Sequence, residues 1–226
     1  MNRFQHILFD LDGTLSESAE GITKSVQYAL RSVGIEEPDL HELETFVGPP
    51  LNVEFQRRYH FDDATCEAVI RKYRERYSEV GIFECRLYDG IPETLRDLRE
   101  QGATLAVASS KPEIFVHRIM EHFDVAQYFS VMRGSRMEDE MKNKAGSDNK
   151  ERVVRAALAD LGAAATKGST AMVGDRSFDI LGALHNGVTP VGVTFGYGSR
   201  QELEEAGAEP SLIAESVEEL RRILMA

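Results

Sequence analysis

Short, uninterrupted apolar runs recur along this chain, separated by longer stretches in which apolar residues return every three or four positions. The runs fall at 6–11, 104–108, 129–132, 170–173 and 190–194, and each gives way to turn-forming or polar residues. Runs of this length without polar alternation predict strands covered on both faces, the pattern of a parallel sheet. The helical period occupies 94–101, 113–122, 151–161, 179–186 and 217–225. Strand and helix therefore alternate, which predicts an α/β core with helices on both faces of the sheet. Such sheets bind ligands beyond the carboxyl ends of their strands.

Residues 16–86 break this rhythm. They carry helical patterns at 21–33, 51–59 and 64–78 with no convincing strand between them, as expected of an inserted α-helical cap domain. The implied division is a catalytic core of residues 1–15 and 87–226 and a cap of residues 16–86. The polar, charge-dense stretch 134–149 and the Gly-Tyr-Gly-Ser stretch 196–199 are expected to be loops.

A formal net charge of -12 and the lack of any basic run argue against a nucleic acid polymer as partner. A small anion remains allowed where a few cations and a metal are concentrated locally. The two cysteines, Cys66 and Cys85, have no metal-ligand spacing and no disulfide framework around them. With no apolar run of membrane-spanning length, no membrane is expected as a partner, and the chain is expected to be cytoplasmic, as a monomer or homodimer.

Chemistry concentrates where the apolar runs end. The first run ends in Phe9-Asp10-Leu11-Asp12-Gly13-Thr14. In extended backbone residues i and i+2 share a side, so both carboxylates can face one site. Asp10 can attack phosphorus and form an acyl phosphate, while Asp12 can protonate a leaving alkoxide and later deprotonate water. Gly13 allows a sharp turn, and the Thr14 hydroxyl is expected to bond local backbone or the neighbouring acids. Taken alone, an acidic turn after a strand needs no catalytic explanation.

Asp175 and Asp179 follow the run at 170–173, and acids so placed suit a hard divalent cation. Asp175 is the candidate direct ligand; Asp179 is expected to act through water or to orient Lys150, although helix-start acids are also favoured by the helix dipole. After the run at 104–108, Ser109 is the candidate phosphate contact and Ser110 a second contact or a helix cap. Lys150 is the candidate phosphate-binding cation, with Lys144, Lys142 and Lys111 as rivals. Three acids and a phosphate dianion place five negative charges together, and like charges ~4 Å apart repel by about 4 kcal/mol at an effective dielectric of 20. Mg²⁺ and a lysine are thus expected as companions of such a substrate.

The ordered motifs FDLDGT at 9–14, Ser109, Lys150 and GDRSFD at 174–179 resemble those of the haloacid dehalogenase-like hydrolase superfamily. The resemblance extends over nearly the whole chain, since an insertion after the first motif is similar to that family's cap. It implies a Rossmann-like parallel sheet core, Asp10 as nucleophile, and Asp12 as acid/base. It also implies that Asp10, the Asp12 carbonyl and Asp175 hold Mg²⁺. Gly48-Pro49-Pro50, Tyr88-Asp89-Gly90, Ser110-Lys111-Pro112 and Gly196-Tyr197-Gly198-Ser199 are similar to the phosphoglycolate phosphatase branch and to its 5′-nucleotidase-like members.

The implied activity is hydrolysis of a small phosphorylated metabolite, a nucleoside 5′-monophosphate or phosphoglycolate. A sugar phosphomutase and a non-catalytic phosphate-binding regulatory protein of the same fold are the alternatives. A phosphonate hydrolase would need an activated cap lysine, and neither Lys24 nor Lys72 has a context that marks it so. The cap contacts expected near substrate are Gly48 first, then Gly21, Pro49, Arg57 and Arg74. Tyr28, Tyr73 and Tyr77 are expected to pack within the cap.

Overall fold

In the computed structural model, which describes residues 3–136, 146–162 and 168–226, the apolar runs assemble into one sheet. Its strands are β1 (His6–Phe9), β4 (Thr104–Pro112), β5 (Phe129–Ser135), β6 (Thr170–Gly174), β7 (Thr189–Val193) and β8 (Ile213–Ala214). The six strands lie in the order β5-β4-β1-β6-β7-β8 and every pairing is parallel. From β1 the chain builds outward through β4 to β5, then returns to lay β6 on the other side of β1. That reversal opens a crevice beside the carboxyl end of β1.

Alternation along each strand decides what covers it. Leu8, Ala106, Ala108 and Met172 face one way, onto Val153, Val154 and Ala157 of α6 (Gly146–Leu161) and Ala183 of α7 (Ser177–His185). Ile7, Phe9, Leu105, Val107 and Val173 belong to the opposite layer. There they join Leu95 and Leu98 of α4 (Ile91–Glu100), Val116 and Ile119 of α5 (Glu113–His122), and Leu220 and Leu224 of α9 (Val217–Met225). Each such side chain contributes about 1.5–3 kcal/mol on burial. The expected α/β core, helices on both faces included, is therefore present.

Between the core segments lie α1 (Ala19–Arg31), a 3₁₀ turn at His41–Phe46, α2 (Leu51–Tyr59) and α3 (Asp63–Tyr77). Their apolar faces, including Val26, Phe46, Phe55 and Val69, are continuous with the core layer that contains Phe9. Contrary to the expectation of no strand in 16–86, β2 (Ser16–Glu17) pairs antiparallel with β3 (Arg86–Leu87). Two residues per strand are too few to give a period, which is why the sequence pattern is silent there. α8 (Arg200–Glu205) is too short in the same way.

Two further boundaries differ. The stretch expected as a loop over 134–149 is shorter, because β5 runs to Ser135 and α6 begins at Gly146; residues 137–145 of that stretch lie outside the described residues. β4 continues past Ala108 to Pro112, but its register against β5 slips between those two residues, and Ser109, Ser110 and Lys111 occupy the slip. Replacing Leu8 by alanine would leave a cavity between β1, Met172 and Val154. We expect the change to lower unfolding free energy by about 2–5 kcal/mol in urea titration, with the native circular dichroism retained.

Candidate active site

The ladder of β1 extends one residue beyond the strand, since the Asp10 N–H donates to the Val173 carbonyl at 2.9 Å. The Leu11 N–H then donates to Asp10 Oδ1 at 2.7 Å, fixing the carboxylate just where the chain bends away. Asp12 follows the bend, and both acids line one pocket with Ser109, Ser110 and Lys111. Gly13 adopts φ +79°, and a Cβ there would lie 2.1 Å from Asp175 Oδ2. Both the turn and the approach of Asp175 thus require glycine.

Lys150 projects from α6 into this group. Its Nζ lies 2.9 Å from Asp10 Oδ2, 2.7 Å from Asp179 Oδ1 and 3.1 Å from the Ala108 carbonyl. Burial alone would lower the affinity of this amine for its proton, but the charges of Asp10 and Asp179 raise it above the ordinary lysine range. Asp179 is itself held at its second oxygen by the Arg176 N–H at 3.1 Å. Burial and the Asp10 charge push its carboxyl up to about 6, against the opposing pull of Lys150.

Asp175 is the acid left short of partners. Oδ2 accepts the Tyr197 N–H at 2.8 Å, while the buried Oδ1 has no hydrogen-bond partner among the described residues. Burial, then the charges of Asp179 and Asp10, push its carboxyl well above the usual range. Asp10, Asp175 and Asp179 each present an oxygen within 4.8 Å of the others. One ammonium group cannot balance three buried carboxylates, and an all-oxygen donor set with one unpaired oxygen fits a hard divalent cation such as Mg²⁺. Asp10 and Asp179 each have both oxygens engaged, so among the described residues Asp175 Oδ1 is the carboxylate oxygen of this trio left for such an ion alone.

Comparison with known proteins accords with this arrangement. The family model described as haloacid dehalogenase-like hydrolase matches residues 7–193. This chain belongs to the haloacid dehalogenase-like hydrolases. Over 222 residues it is 43% identical to a 5′-nucleotidase of Pseudomonas aeruginosa, covering 98% of this chain and 96% of that protein. It is 36% identical to the tyrosine-protein kinase PtkA of Mycobacterium tuberculosis, covering 97% of this chain and 72% of that one. A crystal structure described as a predicted phosphatase from Clostridium acetobutylicum superposes with a TM-score of 0.87 at 43% identity, covering 97% of each chain.

In this haloacid dehalogenase-like hydrolase a second buried lysine balances Asp12. Lys111 Nζ lies 2.9 Å from Asp12 Oδ2, donates to the Tyr77 hydroxyl at 2.6 Å and sits 4.8 Å from the centre of that ring. Asp12 Oδ1 has no hydrogen-bond partner among the described residues. Burial would lower the proton affinity of Lys111, yet Asp12 and Tyr77 raise it above the usual lysine range. From the sequence Lys111 is only a rival for the phosphate, and Tyr77 only a packing residue. The one available signal is the position of Lys111 at the end of a buried strand, two residues after Ser109.

Other expected residues fall where the hydrolase fold sends them. Ser109 is buried, and its hydroxyl accepts the Lys111 N–H at 3.3 Å. Ser110 lines the pocket but is not a helix cap, because the slip in β4 moves the cap of α5 to Pro112, which makes no side-chain cap bond. The Thr14 hydroxyl does not bond the backbone or the acids as expected; it is buried with no hydrogen-bond partner among the described residues. Gly48, Pro49 and Arg74 line the pocket.

Gly21 does not contact the pocket, since it is pressed against Gly81, where a Cβ would meet the Gly81 carbonyl at 1.9 Å. Arg57 is drawn instead to Glu54, with its own side chain 61% exposed. Tyr28 is exposed rather than packed. Lys142 and Lys144 lie outside the described residues. Lys24 and Lys72 pair with Glu20 and Glu75, as befits unactivated surface lysines.

Removing Lys150 would strand Asp10 and Asp179. The Lys150→Ala protein is expected to lose about 3–5 kcal/mol of unfolding free energy in metal-free buffer. The loss should be smaller when Asp179→Asn is already present, and a double-mutant cycle by denaturant titration measures that difference.

Proposed function

We propose that this hydrolase is a Mg²⁺-dependent phosphomonoesterase that passes the phosphoryl group through Asp10. The observation that carries the reading is how two acids of one pocket are paired: Lys150 sits on Asp10 from behind the pocket, and Lys111 on one oxygen of Asp12, whose other oxygen has no hydrogen-bond partner among the described residues. An Asp10 oxygen attacks phosphorus as the bond to the leaving oxygen breaks, and Asp12 Oδ1 gives that oxygen its proton. Water then attacks the aspartyl phosphate, Asp12 takes the water's proton, and phosphate leaves with Asp10 restored.

Ser109 and the Lys150 ammonium hold phosphoryl oxygens, assisted by backbone N–H groups of the β4 slip. Mg²⁺ would be held by Asp10, Asp175 and the Asp12 carbonyl, and when bound it supplies positive charge against the phosphoryl oxygens. Asp179 keeps Lys150 in place. Residues 16–86 form a cap over residues 1–15 and 87–226, with β2 and β3 as the crossing between them, and Gly48 among its substrate contacts.

The leaving group favoured is a nucleoside, with phosphoglycolate as the poorer fit. Phe46, Leu51, Tyr73, Tyr77 and Phe115 line the same pocket as the acids, and an apolar, aromatic lining suits a ring system better than a second carboxylate. The relative named 5′-nucleotidase is consistent with this choice.

Phosphate release is to be measured from nucleoside 5′-monophosphates, phosphoglycolate and sugar phosphates. Release should require Mg²⁺, stop reversibly with chelator, and fall by about three orders of magnitude or more in Asp10→Asn. No release from any of them, or full activity of Asp10→Asn, contradicts the reading. Tyr73→Ala should lower kcat/KM by about tenfold for a nucleoside monophosphate while barely changing it for phosphoglycolate. Equal losses on both substrates would place the leaving group elsewhere.

A further inference from the structure

The chain leaves the core through β2 and re-enters it through β3, and one core side chain stands against both crossings. Tyr197 lies in the loop after β7. Its hydroxyl accepts the N–H groups of Ser18 and Ala19, each at 2.8 Å. These amides open α1, whose N-cap Ser18 makes no side-chain cap bond of its own. A phenol from the far end of the sequence therefore satisfies donors that a helix start leaves unpaired. On the returning side Tyr88 follows β3 directly, and burial, then the neighbouring Tyr197, raise its phenol above the usual range. The Tyr88 N–H donates to the Leu15 carbonyl at 3.2 Å, closing the two crossings on each other.

The same Tyr197 reaches Asp175 through its backbone N–H, at 2.8 Å from Oδ2. The loop has no slack around this contact. A Cβ on Gly196 would lie 2.1 Å from the Gly13 carbonyl and 2.6 Å from Asp175 Cβ, and one on Gly198 would lie 1.8 Å from the Asp175 carbonyl. Two glycines thus let the loop lie directly on the acid, and the tyrosine between them carries that position to the first turn of α1. We propose that Tyr197 is a positioning residue that couples the start of α1 to the carboxylate of Asp175. An ion settling on Asp175 and a movement of residues 16–86 then bias each other, as linkage requires of two events sharing one rigid element.

The inference rests on Asp175 as a ligand of the ion and makes no use of turnover. Tyr197→Phe keeps the ring and the N–H to Asp175 and removes only the hydroxyl. Amide hydrogen exchange is read at Ser18 and Ala19 in both proteins, with chelator and with saturating Mg²⁺, alongside calorimetric Mg²⁺ affinity. In wild type, Mg²⁺ should slow exchange at these two amides by at least about fivefold. In the variant, exchange should be about tenfold faster and no longer respond to Mg²⁺, while the affinity for Mg²⁺ stays within a factor of about three.

Equal exchange in the two proteins, or a Mg²⁺ response that survives in the variant, overturns the proposal. So does a large fall in Mg²⁺ affinity, which would make the hydroxyl a prop for Asp175 alone. If the variant does not fold, the wild-type comparison decides: no effect of Mg²⁺ at Ser18 and Ala19 refutes the coupling. A protein that shows the exchange response yet releases no phosphate would refute the phosphatase reading and leave this one standing.

Discussion

Four carboxylates and two ammonium groups meet at the carboxyl ends of β1, β4 and β6, and the charge they leave uncancelled governs what is built around them. Lys150 bridges Asp10 and Asp179, and Lys111 answers Asp12, so Asp175 has a backbone N–H on one oxygen and, among the described residues, no hydrogen-bond partner on the other. A buried carboxylate in that position must bind a proton or a cation. An incomplete balance of this kind is poor design for stability and suitable design for loading a dication together with a phosphate, since both arrive as a pair of opposite charges.

The sheet exists, for this purpose, to hold those groups at one level. Register pairs Phe9 with Val107 on one side and with Val173 on the other. The residues that follow each partner therefore emerge together, one strand apart. Close approach does the rest: Gly13, Gly174, Gly196 and Gly198 all sit where a Cβ would strike Asp175, Asp179 or the backbone beside them. The helical insert meets this edge through Tyr77 on Lys111, and through the Arg176 guanidinium, which donates to the Val47 carbonyl at 3.2 Å. These helices thus meet the site through groups that belong to it or adjoin it, in addition to the apolar layer they share with Phe9.

Much of this arrangement is legible in the sequence, for physical reasons. Strands buried on both faces write themselves as unbroken apolar runs, so five of the six strands of the sheet, and Val217–Met225 to the residue, follow from periodicity. That Asp10, Asp12 and Asp175 lie together is legible because each follows the end of an unbroken apolar run, and the strands of a parallel sheet end on one side. Lys111 and Tyr77 are not legible in their roles, since their meeting depends on how α3 lies over β4, a long-range contact with no local period. Ser110 misleads because serine before a helix is normally a cap, and only the slip in β4 cancels that. The hydroxyl of Tyr197 is silent for the opposite reason: nothing in Gly-Tyr-Gly-Ser says that a phenol will cap a helix that begins at Ala19.

The central claim is that Asp10 carries the phosphoryl group, and the most direct test is chemical capture of that state. Enzyme mixed with Mg²⁺ and a hydrolysable nucleoside monophosphate is quenched within a turnover and treated with borohydride, which reduces an acyl phosphate to the alcohol. The residues 6–17 are then sequenced by mass spectrometry. Homoserine at position 10, present only when substrate and Mg²⁺ are both supplied, is the predicted result. An unmodified aspartate at position 10 under conditions of confirmed turnover, or homoserine at position 12 or 175 instead, would contradict the account.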